Sequence, residues 1–224
     1  YVPNGTNALP EVINANQVAE SFGLDKNKYL VMIARLVPHK GAHLLVEAFT
    51  NLKQKYGDNH EITELKLAIV GGSVYTNDYV KFLNQQASIC NDIIFTDFQS
   101  GEVLQQLYAN ALALIHPSLN EGLPVSVLEA MSYGKPVLLS NIPEHLELVH
   151  DPRVIFVQNS AKDIEEKILE FLSLGETDRS TIGAYNRETI RRYYSWDVVM
   201  PQIMEVYRAK ESKEKENSDF FHLH

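Results

Sequence analysis

The chain reads as an α/β protein: a doubly wound, parallel six-stranded sheet followed by a helical C-terminal segment. Three observations predict it. Six short apolar runs alternate with amphipathic helical patterns up to residue 157; the pattern after Ser160 is helical throughout; and 224 residues with 45% hydrophobic content can bury a sizeable core. Alternation of this kind implies right-handed crossovers, with ligands held outside the carboxyl ends of the strands.

The candidate strands, in order, are Leu30 to Ala34, Leu65 to Val70, Ile93 to Thr96, Leu112 to His116, Pro136 to Ser140 and Val154 to Val157. The first helical pattern, Gly41 to Tyr56, puts Leu45, Ala48, Phe49 and Leu52 on one face. Further patterns run over Asn77 to Cys90, Glu102 to Ala109, Pro124 to Tyr133 and Pro143 to Val149, then Lys162 to Leu172, Glu176 to Tyr193 and Trp196 to Lys210. Arg208 to Asn217 is almost entirely charged or polar, which reads as a solvated helix end or a flexible tail. No internal repeat stands out.

Composition narrows the function classes. A formal charge of −9 argues against general nucleic-acid or anionic-membrane binding, so an anionic ligand must rely on local positive groups. The single cysteine, Cys90, cannot form an internal disulfide, which fits a reducing compartment. There is no apolar run near 18 residues and no signal-like start. The chain is expected in the cytoplasm, with a membrane-peripheral placement of a longer protein left open. It begins with Tyr1 rather than Met and reads as an excised half of a larger protein.

The most informative stretch is Pro117 to Met131, in which Glu121 and Glu129 stand eight positions apart across a loop-to-helix junction. Pro124 fits a first helical position, where its missing N–H and fixed φ are tolerated. The N–H groups and dipole at such a helix start favour an anion such as a diphosphate. Two acceptor-only carboxylates could then grip hydroxyls on either side of it. Ser118 with Glu121 and Ser126 with Glu129 also fit capping boxes; a helix starting at Pro124 would put Glu129 too deep for the second. Arg35 and Lys40 flank the loop after the first strand; surface charge is the common fate of loop cations, but this placement favours a ligand-binding role.

Other chemistries find less support. The chain has no G-x-x-x-x-G-K-[ST], no G-x-G-x-x-G after the first strand and no Asp-x-Asp. His39 and His43 lack a neighbouring Cys or Asp to complete a metal set, so no metal site is expected. Tyr75, Tyr79 and Tyr108 could stack on a base, though helix-borne tyrosines are more often core or rim. Cys90 reads as a small apolar residue, His116 as packed, Asn4 and Gly5 as turn formers, and Glu144 and Glu147 as first-turn acids of a helix.

The loop Arg35-Leu36-Val37-Pro38-His39-Lys40-Gly41 together with the Glu-x7-Glu spacing resembles the C-terminal, donor-binding domain of retaining GT-B glycosyltransferases of family 4, the glycosyl transferases group 1. Val2 to Thr6 looks like that family's interdomain hinge, Ala68 to Gly72 like its second strand and glycine turn, and Ile93 to Phe98 like its base-proximal strand. Ser140 to Glu147 is similar to its last core turn, and Tyr194-Ser195-Trp196 to the opening of its terminal helix. Asp97 stands where the family usually has Gly, and Val149 to Phe156 lacks its Asp-Gly-x-x-Gly turn.

The resemblance implies a Rossmann-like domain over residues 11–210, a hinge remnant over 1–10 and a charged tail over 211–224. It also implies a nucleoside-diphosphate sugar donor, no cofactor, and an acceptor glycan, lipid or other hydroxyl compound. Arg35, Lys40 and Glu121 would serve catalysis; Arg35, Lys40, Glu121, Gly122, Leu123, Glu129 and Phe98 would bind donor. A missing N-terminal domain would complete the cleft, so the chain alone is expected to be inactive. The rival readings are a GT-B sugar-nucleotide epimerase, a glycan phosphorylase, for which no pyridoxal-lysine signature is evident, and a non-catalytic nucleotide-sugar-binding domain.

Overall fold

A computed structural model of the chain describes residues 2–7, 21–72 and 77–221. Its centre is a six-stranded sheet in the order β3-β2-β1-β4-β5-β6, with every pair parallel. The strands are β1 (Tyr29–Ile33), β2 (Lys66–Val70), β3 (Ile93–Phe95), β4 (Ala113–His116), β5 (Val137–Ser140) and β6 (Ile155–Phe156). Leu30 is in register with Leu67 on one side and with Ala113 on the other. The strand order reverses between β1 and β4. That topological switch opens a crevice at the carboxyl ends of these two strands.

The helices are α1 (Ala42–Tyr56), α2 (His60–Glu64), α3 (Asn77–Ala87), α4 (Gly101–Asn110), α5 (Val125–Ser132), α6 (Pro143–Leu148), α7 (Ala161–Ser173), α8 (Glu176–Thr189) and α9 (Trp196–Phe221). α1 packs against α3 and α7, and α5 packs against α4 and α8, giving a helical layer to each face of the sheet. Leu45, Phe49 and Leu52 of α1 are fully buried, as are Val127, Leu128 and Met131 of α5, each stripe closing over the apolar strands. Truncating Phe49 to Ala would cost about 3–5 kcal/mol, the range for emptying a buried aromatic site. Tyr29 is fully buried at the start of β1, and its hydroxyl donates to the Leu107 carbonyl at 2.8 Å.

The boundaries depart from the sequence reading where side chains cap the backbone. Asn59 accepts from the amides of Glu61 and Ile62 and so nucleates α2, which the sequence reading left out; Leu65 closes that helix and β2 begins at Lys66. α3 stops at Ala87, short of Cys90. Pro124 is not the first helical residue but the N-cap of α5, with φ −76° and ψ 113°, and its carbonyl accepts from Val127 and Leu128. A five-residue π-turn, Ile190–Tyr194, follows α8, and α9 runs past Lys210 to Phe221.

The hinge-like segment is clasped to the start of α9. Thr6 donates its amide to Tyr194 and accepts from the Trp196 amide, at 2.8 and 3.1 Å. A Cβ on Gly5 would lie 2.5 Å from the Trp196 ring, so only glycine fits beneath it. The expected hinge residues Tyr1 and 8–10, and Tyr75, lie outside the described residues. Among the described residues no helix is long and apolar enough to cross a membrane.

Candidate active site

Two loops border the crevice, one leaving β1 and the other leaving β4. The first is pinned to β2: Ala34 donates to Val70, and Leu36 donates to Gly72, both at 3.1 Å. It then tightens into a 3-10 turn, Pro38–Lys40, which ends at Gly41 with φ 74°. A Cβ on Gly41 would sit 2.2 Å from the Pro117 carbonyl oxygen, so the glycine is what lets the two loops touch. Leu119 fastens them by donating its amide to His39 at 2.8 Å.

This contact brings Lys40 onto Glu121. The Lys40 ammonium donates to Oε1 of Glu121, and His116 Nε2 lies 2.8 Å from the same oxygen. The glutamate side chain is only 6% exposed. Burial by itself would raise its pKa; the His116 contact, joined by Lys40 and Ser118, more than reverses this and brings it down to about 2. Behind it, His116 meets the fully buried His145 edge-on, with ring centroids 5.4 Å apart. His145 is held down to about 4, by burial first and then by His116.

The second glutamate sits in different surroundings. Glu129 is the fifth residue of α5, and its Oε2 accepts a 2.8 Å hydrogen bond from the Tyr108 hydroxyl of α4. Tyr108 is buried and stacked on Tyr133; burial, then the Glu129 charge, keeps its hydroxyl protonated far above the usual range. Glu129 and Tyr108 line a cavity of about 560 Å³ shared with Arg35, Gly72, Phe98 and Ser126. Phe98 is 74% exposed, its ring free to meet a flat ligand. Val125 and Ser126, the first two residues of α5, bring amides that no helical carbonyl reaches.

The residues singled out in the sequence thus fall into two groups. Arg35, Phe98 and Glu129 share the cavity, while Lys40 and Glu121 form the ion-paired cluster beside it. Gly122 is exposed, with nothing within 4 Å of a Cβ placed there, and the Leu123 carbonyl accepts from Asn4 Nδ2 at 2.8 Å. Because Pro124 is the N-cap, the free amides of the helix start at Val125, two residues beyond Leu123. Asp97 adopts φ 56°, a left-handed conformation that glycine takes freely and Asp tolerates, which accounts for its standing at a usual glycine position.

His116 is packed, as its sequence setting predicts; it is also the close partner of Glu121, a role signalled only by its place at the carboxyl end of a switch-point strand. Tyr108 was read as core or rim and proves to hold Glu129. His43 does not pair with His39 but meets the Tyr79 hydroxyl through Nδ1 at 2.9 Å. Among the described residues no group of three or more His, Cys, Asp or Glu could hold a metal ion.

The family of glycosyl transferases group 1 matches residues 15–189, well over half of the chain. The chain belongs to that family. It is 25% identical over 185 residues to an uncharacterized glycosyltransferase of Methanocaldococcus jannaschii, covering 82% of this chain and 45% of that protein. It is 24% identical over 227 residues to the GDP-mannose-dependent alpha-(1-6)-phosphatidylinositol monomannoside mannosyltransferase of Mycobacterium tuberculosis, covering 95% of this chain and 56% of the relative. Among solved structures, Anabaena HepE in complex with UDP and glucose superposes with a TM-score of 0.80 at 21% identity, over 93% of this chain and 56% of HepE. The C-terminal domain of a group 1 glycosyl transferase from Francisella tularensis gives 0.70 at 19% identity, over 85% of this chain and 99% of that domain. The chain spans about half the length of the relatives it matches. The architecture is that of the C-terminal half of a GT-B glycosyltransferase.

Proposed function

We propose that this chain is the donor-binding half of a retaining, metal-independent glycosyltransferase that moves a sugar from a nucleoside-diphosphate sugar to an acceptor hydroxyl. The observation that carries this reading is the meeting, at the sheet's switch point, of a cavity holding Arg35, Phe98, Glu129 and a helix start with the Lys40–Glu121 pair. The UDP-and-glucose complex of HepE and the GDP-mannose dependence of the mycobacterial relative support a nucleotide-sugar donor.

In this mechanism the Phe98 ring faces the base, and Glu129 accepts from ribose hydroxyls. Departure of the nucleoside diphosphate builds negative charge on phosphate oxygens. Arg35, Lys40 and the amides opening α5 meet that charge in place, the electrostatic term that dominates many transfers. Lys40 leaves Glu121 to do so, and Glu121 then accepts a sugar hydroxyl near the anomeric centre. The acceptor enters from a partner domain, which also excludes water. The proposed organisation is a hinge over residues 1–10, the donor domain over 11–210 and a charged tail over 211–224, in a cytoplasmic protein.

Titration of the chain with nucleosides and nucleoside diphosphates tests this directly. The diphosphate binds more tightly, and Arg35→Ala removes about 1.5–3 kcal/mol of that preference, the worth of a charge-assisted contact. Equal affinity for nucleoside and diphosphate in the unmodified chain would sink the reading. Mixed with donor and acceptor, the chain alone yields no glycosylated product, whereas the two-domain protein does.

A further inference from the structure

We propose that His116 is a positioning residue for sugar recognition: it anchors one oxygen of Glu121, so that the other is presented to a sugar hydroxyl. The inference rests on the donor-site reading above and adds a residue to it.

The geometry is asymmetric. A carboxylate only accepts, so His116 donates from Nε2 to Oε1, 2.8 Å away. Lys40 donates to that same oxygen, so both close donors converge on Oε1 and neither occupies Oε2. The fully buried Ser118 hydroxyl lies close by and adds to the stabilisation of the same carboxylate.

The two donors also differ in permanence. Lys40 sits on a loop and, in the proposed mechanism, turns to the diphosphate. His116 ends β4 with 1% of its surface exposed and cannot follow. It is backed by His145, whose Nδ1 lies 3.0 Å from the Ser140 carbonyl and so carries the hydrogen, fixing the ring. The Ser140 hydroxyl is itself committed to the Ser118 carbonyl at 2.5 Å. The chain Ser118–Ser140–His145–His116 is therefore a packed wedge that ends in the Nε2–H on Glu121. When the diphosphate draws Lys40 away, His116 is the donor that keeps the carboxylate aimed.

The test compares the affinity of a sugar nucleotide with that of its own diphosphate, using UDP, UDP-glucose, GDP and GDP-mannose as probes in calorimetry on this chain. For the pair that the unmodified chain discriminates, His116→Leu cuts the sugar-dependent gain about tenfold, the loss of one hydrogen bond to a charged group, and leaves diphosphate affinity within about twofold. His116→Gln, whose Nε2 can reach the same oxygen, keeps the gain. If His116→Leu fails to fold, His116→Asn, too short to reach Oε1, takes its place against the same Gln control. An unchanged gain in the Leu or Asn variant overturns the proposal, and so does an equal loss of diphosphate and sugar-nucleotide affinity in Gln and Leu alike. Failure of the unmodified chain to bind any of the four probes overturns instead the donor-site reading, and this inference with it.

Discussion

Glu121 and Glu129 share a residue type, a loop-to-helix segment and a sheet edge, yet the fold prepares them in opposite ways. Glu121 is dry and held by a cation and an imidazole on a single oxygen, its pKa brought down to about 2. Glu129 faces an open cavity and is held by one neutral phenol. One carboxylate is fixed by charged and polar neighbours in a buried cluster, the other by a single hydroxyl at the wall of a cavity.

Glu121→Ala should break this contrast most severely, because it leaves Lys40 without its counter-ion in a mostly buried site. Transfer by the two-domain protein should fall about a hundredfold or more, the scale for losing a preorganised polar group, and the chain should lose about 3 kcal/mol in a urea titration. A variant as stable as the parent would mean that the ion pair adds nothing to the folded state. Lys40→Ala in the two-domain protein should lower kcat more than it raises KM, since phosphate charge is larger in the transition state than in bound donor. A change confined to KM would assign Lys40 to ground-state binding alone.

The pH dependence sharpens the comparison. The folded pKa of Glu121 lies below its ordinary value of 4.5, so its contribution to stability is complete above that pH and is lost as pH falls towards about 2. Thermal melts across that window should show a flatter pH dependence in Glu121→Gln than in the parent. The smallest effect belongs to Tyr108→Phe, which deletes one hydrogen bond to Glu129. Diphosphate affinity should weaken by about 1–2 kcal/mol, with His116-dependent sugar discrimination untouched.

Much of this is legible in the sequence alone. The six strands and the helices between them follow from periodicity, and the two loops at the carboxyl ends follow from their order. What could not be read is who partners whom. Lys40 and Glu121 are 81 residues apart, and Tyr108 and Glu129 are 21 apart on separate helices; only packing joins them. α2 escaped because five residues carry too little periodicity to register, although Asn59 was a legible cap. Pro124 was misplaced by one position because an N-cap and a first helical residue both tolerate its lost N–H. His116 was hidden by its own burial: in a strand of four buried residues, the sequence shows a packed ring and not the oxygen at its tip.

Asn4 stands ahead of the whole sheet, yet its side-chain amide is bonded to the Leu123 carbonyl, two residues beyond Glu121. One residue further along, Gly5 and Thr6 are clamped to the first turn of α9. Among the described residues, Asn4 therefore ties the loop between Glu121 and α5 to the same short segment that Gly5 and Thr6 hold against α9, so a substitution at Asn4 bears on the setting of Leu123 as well as on its own turn.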